Sequence, residues 1–152
     1  MTRASTFMRE RLRDEEGSTL PLTIFYGALS LALILIVVAA SSLYLERKRL
    51  FTLADGAALI GAEAFDLDAV TLTADGPRPT LRPADVARDV RLYLADNAHD
   101  EFEALAVDSA TTVDGRSATV QLSAWWRPPV VGILLPKGFR IDVTAIARSV
   151  LD

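Results

Sequence analysis

From Gly17 to Leu45 the chain carries no charged residue: GSTLPLTIFYGALSLALILIVVAASSLYL. A run of about 28 residues at 1.5 Å rise makes a helix of roughly 42 Å, longer than the ~30 Å hydrocarbon core of a bilayer. Its densest part, Leu29 to Ala40, is Leu, Ile, Val and Ala with one Ser, so no face is polar. A helix apolar all round either spans a membrane or lies buried in a core. A chain of 152 residues could hardly bury so long a helix on every side. The expectation is a transmembrane helix over residues 18–45. A secretory signal is the competing reading, with Val38-Ala39-Ala40-Ser41-Ser42 as small residues for cleavage. Its apolar region, Leu20 to Ala40, exceeds the usual 7–15 or so residues.

The flanks suggest an orientation. Arg3, Arg9, Arg11 and Arg13 precede the run, and Arg47, Lys48 and Arg49 follow it. The slight excess in front favours a cytoplasmic N-terminus. So short a leader is too small to fold, whereas the C-terminal hundred or so residues can form a domain, expected outside. The net charge of -4, from 16 Lys+Arg against 20 Asp+Glu, argues against a nucleic-acid partner, which needs a basic face. With no Cys and one His, a disulfide framework, a thiolate zinc site and a multi-histidine metal site are excluded, and little remains for a Ser-His-Asp arrangement.

Beyond Glu46 the helix is expected to continue, as an amphipathic segment over 46–68. Leu50, Leu53, Ala54, Ala57, Ala58, Gly61, Ala62 and Phe65 follow the i, i+3, i+4, i+7 template. No Pro interrupts Leu22 to Asp75. The second half of the stripe is small-sided, which allows close backbone approach. It can pack on the chain's own sheet or between subunits, on different arcs of one helix. Thr73 to Pro79 reads as a Gly/Pro loop. A second helix follows, with Pro83 in its first turn and Val86, Val90, Tyr93 and Leu94 as its stripe, ending near Asn97-Ala98.

The remainder alternates with period two. Phe102–Asp108 is a weak strand candidate, and Asp114-Gly115 is a hairpin signal. Ala118, Val120, Leu122 and Ala124 define a strand running into Trp125-Trp126, closed by Arg127-Pro128-Pro129. Val130–Leu135 is a compact apolar run, and Phe139, Ile141, Val143 and Ala145 begin the last strand. The fold class is α+β: two helices against an antiparallel sheet of about three strands, with residues 69–152 as the domain packing on 50–65.

Chemistry is sparse. Asp96-Asn97-Ala98-His99-Asp100-Glu101 lacks EF-hand spacing and a turn glycine, and reads as a solvated helix end. Asp66-Leu67-Asp68 reads as a helix fringe. No G-x-S-x-G, Gly-rich phosphate loop or H-E-x-x-H is present. No enzyme activity, cofactor or metal is expected. Trp125 and Trp126, adjacent on a strand, face opposite ways, so one is expected in the core and the other is a possible contact residue.

Taken together, Asp14-Glu15-Glu16-Gly17-Ser18, the apolar helix, Glu46-Arg47-Lys48-Arg49-Leu50 and the run from Ala54 to Ala62 (ADGAALIGA) resemble the TadE/TadG-like family of the bacterial Tad (tight adherence, Flp-type) pilus system. The closing segment Ile141–Ala147 is also similar. The resemblance implies a minor pilin or pseudopilin with a prepilin-like leader, residues 1–17, cut between Gly17 and Ser18 by a prepilin peptidase. Its implied partners are the membrane, other pilin subunits, that peptidase and the pilus assembly machinery. Gly27, Ala28 and Ser30 would permit close packing in a helix bundle. Pilins of this broad class usually carry Glu at the fifth mature position. Here that position is Leu22, which favours a capping, initiating or membrane-resident role. The alternative is a bitopic, membrane-anchored interaction protein that never enters a filament.

Overall fold

The structure, a computed structural model, describes residues 4–66, 70–73, 76–97, 102–128 and 138–149. Its first helix, α1, spans Ala4–Ala62. The chain divides into two units, residues 1–40 and 41–152, and α1 contributes to both.

The first unit is helical from Ala4 onward, so the backbone of residues 4–17 joins the helix ahead of the expected span. Within residues 19–40 only Leu35 and Ala39 are half-buried and the rest are exposed. The apolar window of this helix has 0% of its residues buried, unlike the core helix of a soluble protein. Thr19–Ala62 is long and apolar enough to cross a membrane.

The second unit has an α+β architecture. From residue 41 onward α1 is followed in chain order by β1 (Thr71–Thr73), β2 (Gly76–Arg78), α2 (Pro83–Asn97), β3 (Glu103–Thr112), β4 (Ser117–Trp126) and β5 (Phe139–Arg148). The three long strands form an antiparallel sheet in the order β3-β4-β5. The register pairs Ala118 with Ala147, Val120 with Ala145, Leu122 with Val143 and Ala124 with Ile141. All eight are buried on one face, as period-two alternation requires when one sheet face is covered. The helices lie on that face. Gly61 of α1 faces Ala118 of β4 and Val86 and Val90 of α2.

Local chemistry sets the boundaries. The carbonyl of Arg82 accepts from the N–H groups of Asp85 and Val86, with Pro83 at the first helical position of α2, where no N–H is needed. At the other end Asn97 Nδ2 donates to the Tyr93 carbonyl at 2.8 Å. α1 stops at Ala62, short of the expected 68. There the Glu63 N–H is shared between the Leu59 and Ile60 carbonyls, at 3.2 and 3.1 Å, a tapering last turn.

Two features differ from the sequence reading. The Gly/Pro stretch after Thr71 holds a two-stranded hairpin, β1 with β2, in which Thr73 opposes Gly76. Gly76 sits at φ 111°, a conformation open to glycine because it lacks Cβ. β3 runs on to Thr112, well past Asp108, with register shifts between Glu103 and Ala106 and between Val107 and Ser109. Each shift breaks the alternation, which is why the pattern there is weak. The run Val130–Leu135 and residues 98–101 lie outside the described residues.

Candidate functional site

The stripe on α1 is assembled as one surface. Leu50, Ala54, Ala57, Ala58 and Ala62 are buried, as is Gly61, while Leu53 and Phe65 are half-buried at its margins. Small residues here let a second backbone approach. A Cβ at Gly61 would stand 3.1 Å from Ala118 Cβ and 3.2 Å from Val86 and Val90 methyl carbons. Gly56, not singled out from the sequence, has the same use, since a Cβ there would collide with Tyr93 Oη. The ADGAALIGA run therefore carries the packing of α2 and β4 on α1 within this chain. The other arc of the same helix is open: Phe51 and Leu59 are 47% and 54% exposed, positions that a neighbouring helix could reach.

Gly27, Ala28 and Ser30 are exposed, and nothing lies within 4 Å of a Cβ placed at Gly27. Their small sides have no partner among the described residues of this chain. Gly17 and Ser18 lie on the helical backbone of α1, followed by Pro21 inside the same helix. The Thr23 hydroxyl donates to the Thr19 carbonyl at 2.9 Å.

Trp125 and Trp126 part as adjacent strand residues must. Trp126 is 7% exposed. Its indole N–H donates to Ser42 Oγ at 3.3 Å, and its ring stacks on Phe139 with centroids 6.4 Å apart. Trp125 lies on the opposite face, 42% exposed. On that outer face Arg140 on β5 reaches both oxygens of Asp108 on β3, at 2.7 and 2.8 Å, and Ser123 Oγ on β4 at 3.0 Å. This brace crosses all three strands.

A groove of about 450 Å³ is lined by Tyr44, Arg47, Lys48 and Phe51 of α1 and by Val143 and Thr144 of β5. It sets the basic residues that follow the apolar run beside the last strand, a juxtaposition with no signal in the sequence. Among the described residues no group of three or more His, Cys, Asp or Glu side chains could hold a metal ion. What the described surfaces offer is packing, on the exposed apolar helix of the first unit and on the open arc of α1 in the second.

Residues 17–64 match the model of the Flp pilus-assembly TadE/G-like family, Tad. No curated protein and no solved structure matches the chain. The matched segment takes in the uncharged run and the whole packing stripe up to Ala62. A structural family of this kind, together with a helix able to cross a membrane, fits a membrane-anchored component associated with the Tad pilus. Residues 17–64, about a third of the chain, are thus similar to the TadE/G-like family of Flp pilus assembly.

Proposed function

We propose that the protein is a minor pilin or pseudopilin-like subunit of a Tad/Flp-type pilus. Its leader, residues 1–17, is removed by a prepilin peptidase on the cytoplasmic side. The mature helix packs in a bundle with other subunits and the folded unit faces outward. The observation that carries this reading is the family match, which begins at Gly17 and includes the apolar helix. The exposure of Gly27, Ala28 and Ser30 within the chain supports it. A helix with small residues on an unpartnered surface gains packing when a second helix closes on it.

Leu22 bears on the place in the assembly. Cleavage leaves an ammonium on Ser18, and an unpaired charge deep in an apolar bundle is costly. From Ser18 to Leu45 the helix offers no carboxylate to a neighbour's ammonium, and Glu46 is the first acid. A subunit of this kind suits the end of a bundle, where its own amine stays at the membrane surface. The same observation favours the second reading, an anchored interaction protein that stays in the membrane.

Intact-mass measurement on protein extracted from membranes of the source organism tests the proposal, with comparison of sheared filament and membrane fractions. The expected mass is that of a chain starting at Ser18, and Gly17→Leu retains the full-length form while still inserting. A wild-type mass that still includes residues 1–17, in cells with an active prepilin peptidase, ends the pilin-processing reading.

A further inference from the structure

We propose that Pro21 is a positioning residue for proteolysis of the Gly17–Ser18 bond, because it strips that bond's carbonyl of its helical hydrogen bond. The inference rests on the processing proposed above and adds a determinant to it. In an α-helix the carbonyl of residue i accepts from the N–H of residue i+4. α1 runs unbroken through Pro21, whose ring nitrogen has no hydrogen to give. The acceptor deprived of its partner is the carbonyl four residues earlier, that of Gly17. The pyrrolidine ring also crowds that same carbonyl.

Three neighbours weaken the same turn. Gly17 has the greatest backbone freedom to lose in a helix. Leu20, preceding proline, is disfavoured in the α region. The Thr23 hydroxyl donates to the Thr19 carbonyl at 2.9 Å, a side-chain bond that bends helices. The next carbonyl, that of Ser18, faces Leu22, which does have an N–H, so the defect is specific in register.

Hydrolysis makes use of such a defect. Water adds to the Gly17 carbonyl carbon, and the oxygen becomes an oxyanion that the peptidase's own donors must receive. The Gly17–Ser18 C–N bond then breaks and the nitrogen takes a proton. Gly17 is left as a carboxylate and Ser18 as an amine. A carbonyl already bonded within a helix must first be released, whereas that of Gly17 has no regular partner to lose. Proline inside an apolar helix is otherwise merely tolerated, and that is the alternative the experiment separates.

The full-length chain is expressed with an active prepilin peptidase, and conversion to the Ser18-start form is followed by intact mass over time. Pro21→Ala restores the N–H, and processing is expected to slow about tenfold, the effect of one recovered helix hydrogen bond on a barrier. The double variant Pro21→Ala/Leu22→Pro moves the missing N–H one residue on, and stays as slow as Pro21→Ala. In detergent micelles the Gly17 carbonyl carbon resonance shifts downfield in Pro21→Ala, reporting the new hydrogen bond independently of the peptidase. Wild type cut while Pro21→Ala is cut within twofold of its rate overturns the role of Pro21 and leaves processing intact. A double variant as fast as wild type overturns the register assignment, and an unmoved carbonyl resonance overturns its structural basis. Wild type left uncut removes the processing reading itself.

Discussion

Asp114 organises the turn between β3 and β4. Its Oδ1 accepts from the backbone N–H of Arg116 at 2.9 Å and of Ser117 at 2.7 Å, and its Oδ2 from the Ser117 hydroxyl at 3.0 Å. Gly115 beside it takes φ 67°, the left-handed conformation that glycine adopts without strain. The Arg116 bond first, then those from Ser117, hold the Asp114 carboxyl down from its ordinary 3.8 to about 2. A folded value below the unfolded one means these bonds add stability above pH 4 or so, and that the contribution is lost as pH falls toward 2. Asp114→Asn is therefore expected to melt below the parent at pH 7. The gap should close between about pH 4 and pH 2, read from melting curves across that range. A gap that stays constant down to pH 2 would show that charge plays no part in this turn. The turn also ties the unit together, since its Gly115 carbonyl accepts from the Leu81 N–H and its Arg116 carbonyl from the Ser149 N–H, both at 2.9 Å.

At the scale of an element, α1 presents two different arcs in the second unit. The arc of Ala54, Ala58 and Ala62 is closed off by α2 and β4, and Ala58 is 0% exposed. Ala58→Glu places an unpaired carboxylate there and is expected to destabilise the unit by about 3–5 kcal/mol. For a unit of this size that is a fall of roughly 10 °C or more in Tm. Leu59→Glu, on the open arc, should shift stability by no more than ~0.5 kcal/mol. Thermal melts of the pair, followed by circular dichroism, check both. An Ala58→Glu variant melting within a degree of the parent would mean the stripe is not buried. The sheet is held by similar division of labour: its inner face is apolar, and its outer face carries the Arg140–Asp108–Ser123 brace.

For the molecule as a whole, the second unit has its own core, whereas residues 19–40 of the first have no buried residue. Leu50, Val86, Val90, Val120 and Leu122 are fully buried in the second unit, and its contacts reach back to Ser42, the acceptor for Trp126. A fragment starting at Ser41 is expected to be soluble, monomeric and mixed α/β. Size-exclusion chromatography with light scattering and circular dichroism would check this. Starting at Leu50 instead removes Ser42, the acceptor for the Trp126 indole N–H, so the shorter fragment is expected to melt below the longer one. Aggregation of the longer fragment would show that the second unit needs the apolar helix to fold. The helix over residues 19–40 needs a lipid or protein partner, because it buries almost nothing within the chain.

Much of this is legible in the sequence. Absence of charge from Gly17 to Leu45 determines a helix able to span a membrane, because length and apolarity alone decide that property. The 3.6-residue stripe from Leu50 and the alternation from Ala118 and from Phe139 likewise set the elements and their inner faces, since side-chain periodicity follows directly from backbone geometry. Only the tertiary structure decided what depends on a second element. It seats α2 against Gly56 and Gly61, which a one-dimensional reading sees merely as small residues. It carries β3 through two register shifts that erase its alternation, and places Arg47 and Lys48 beside β5. A period reports which face of an element is apolar; what closes on that face is a pairing between residues far apart in the chain, and no local pattern encodes it.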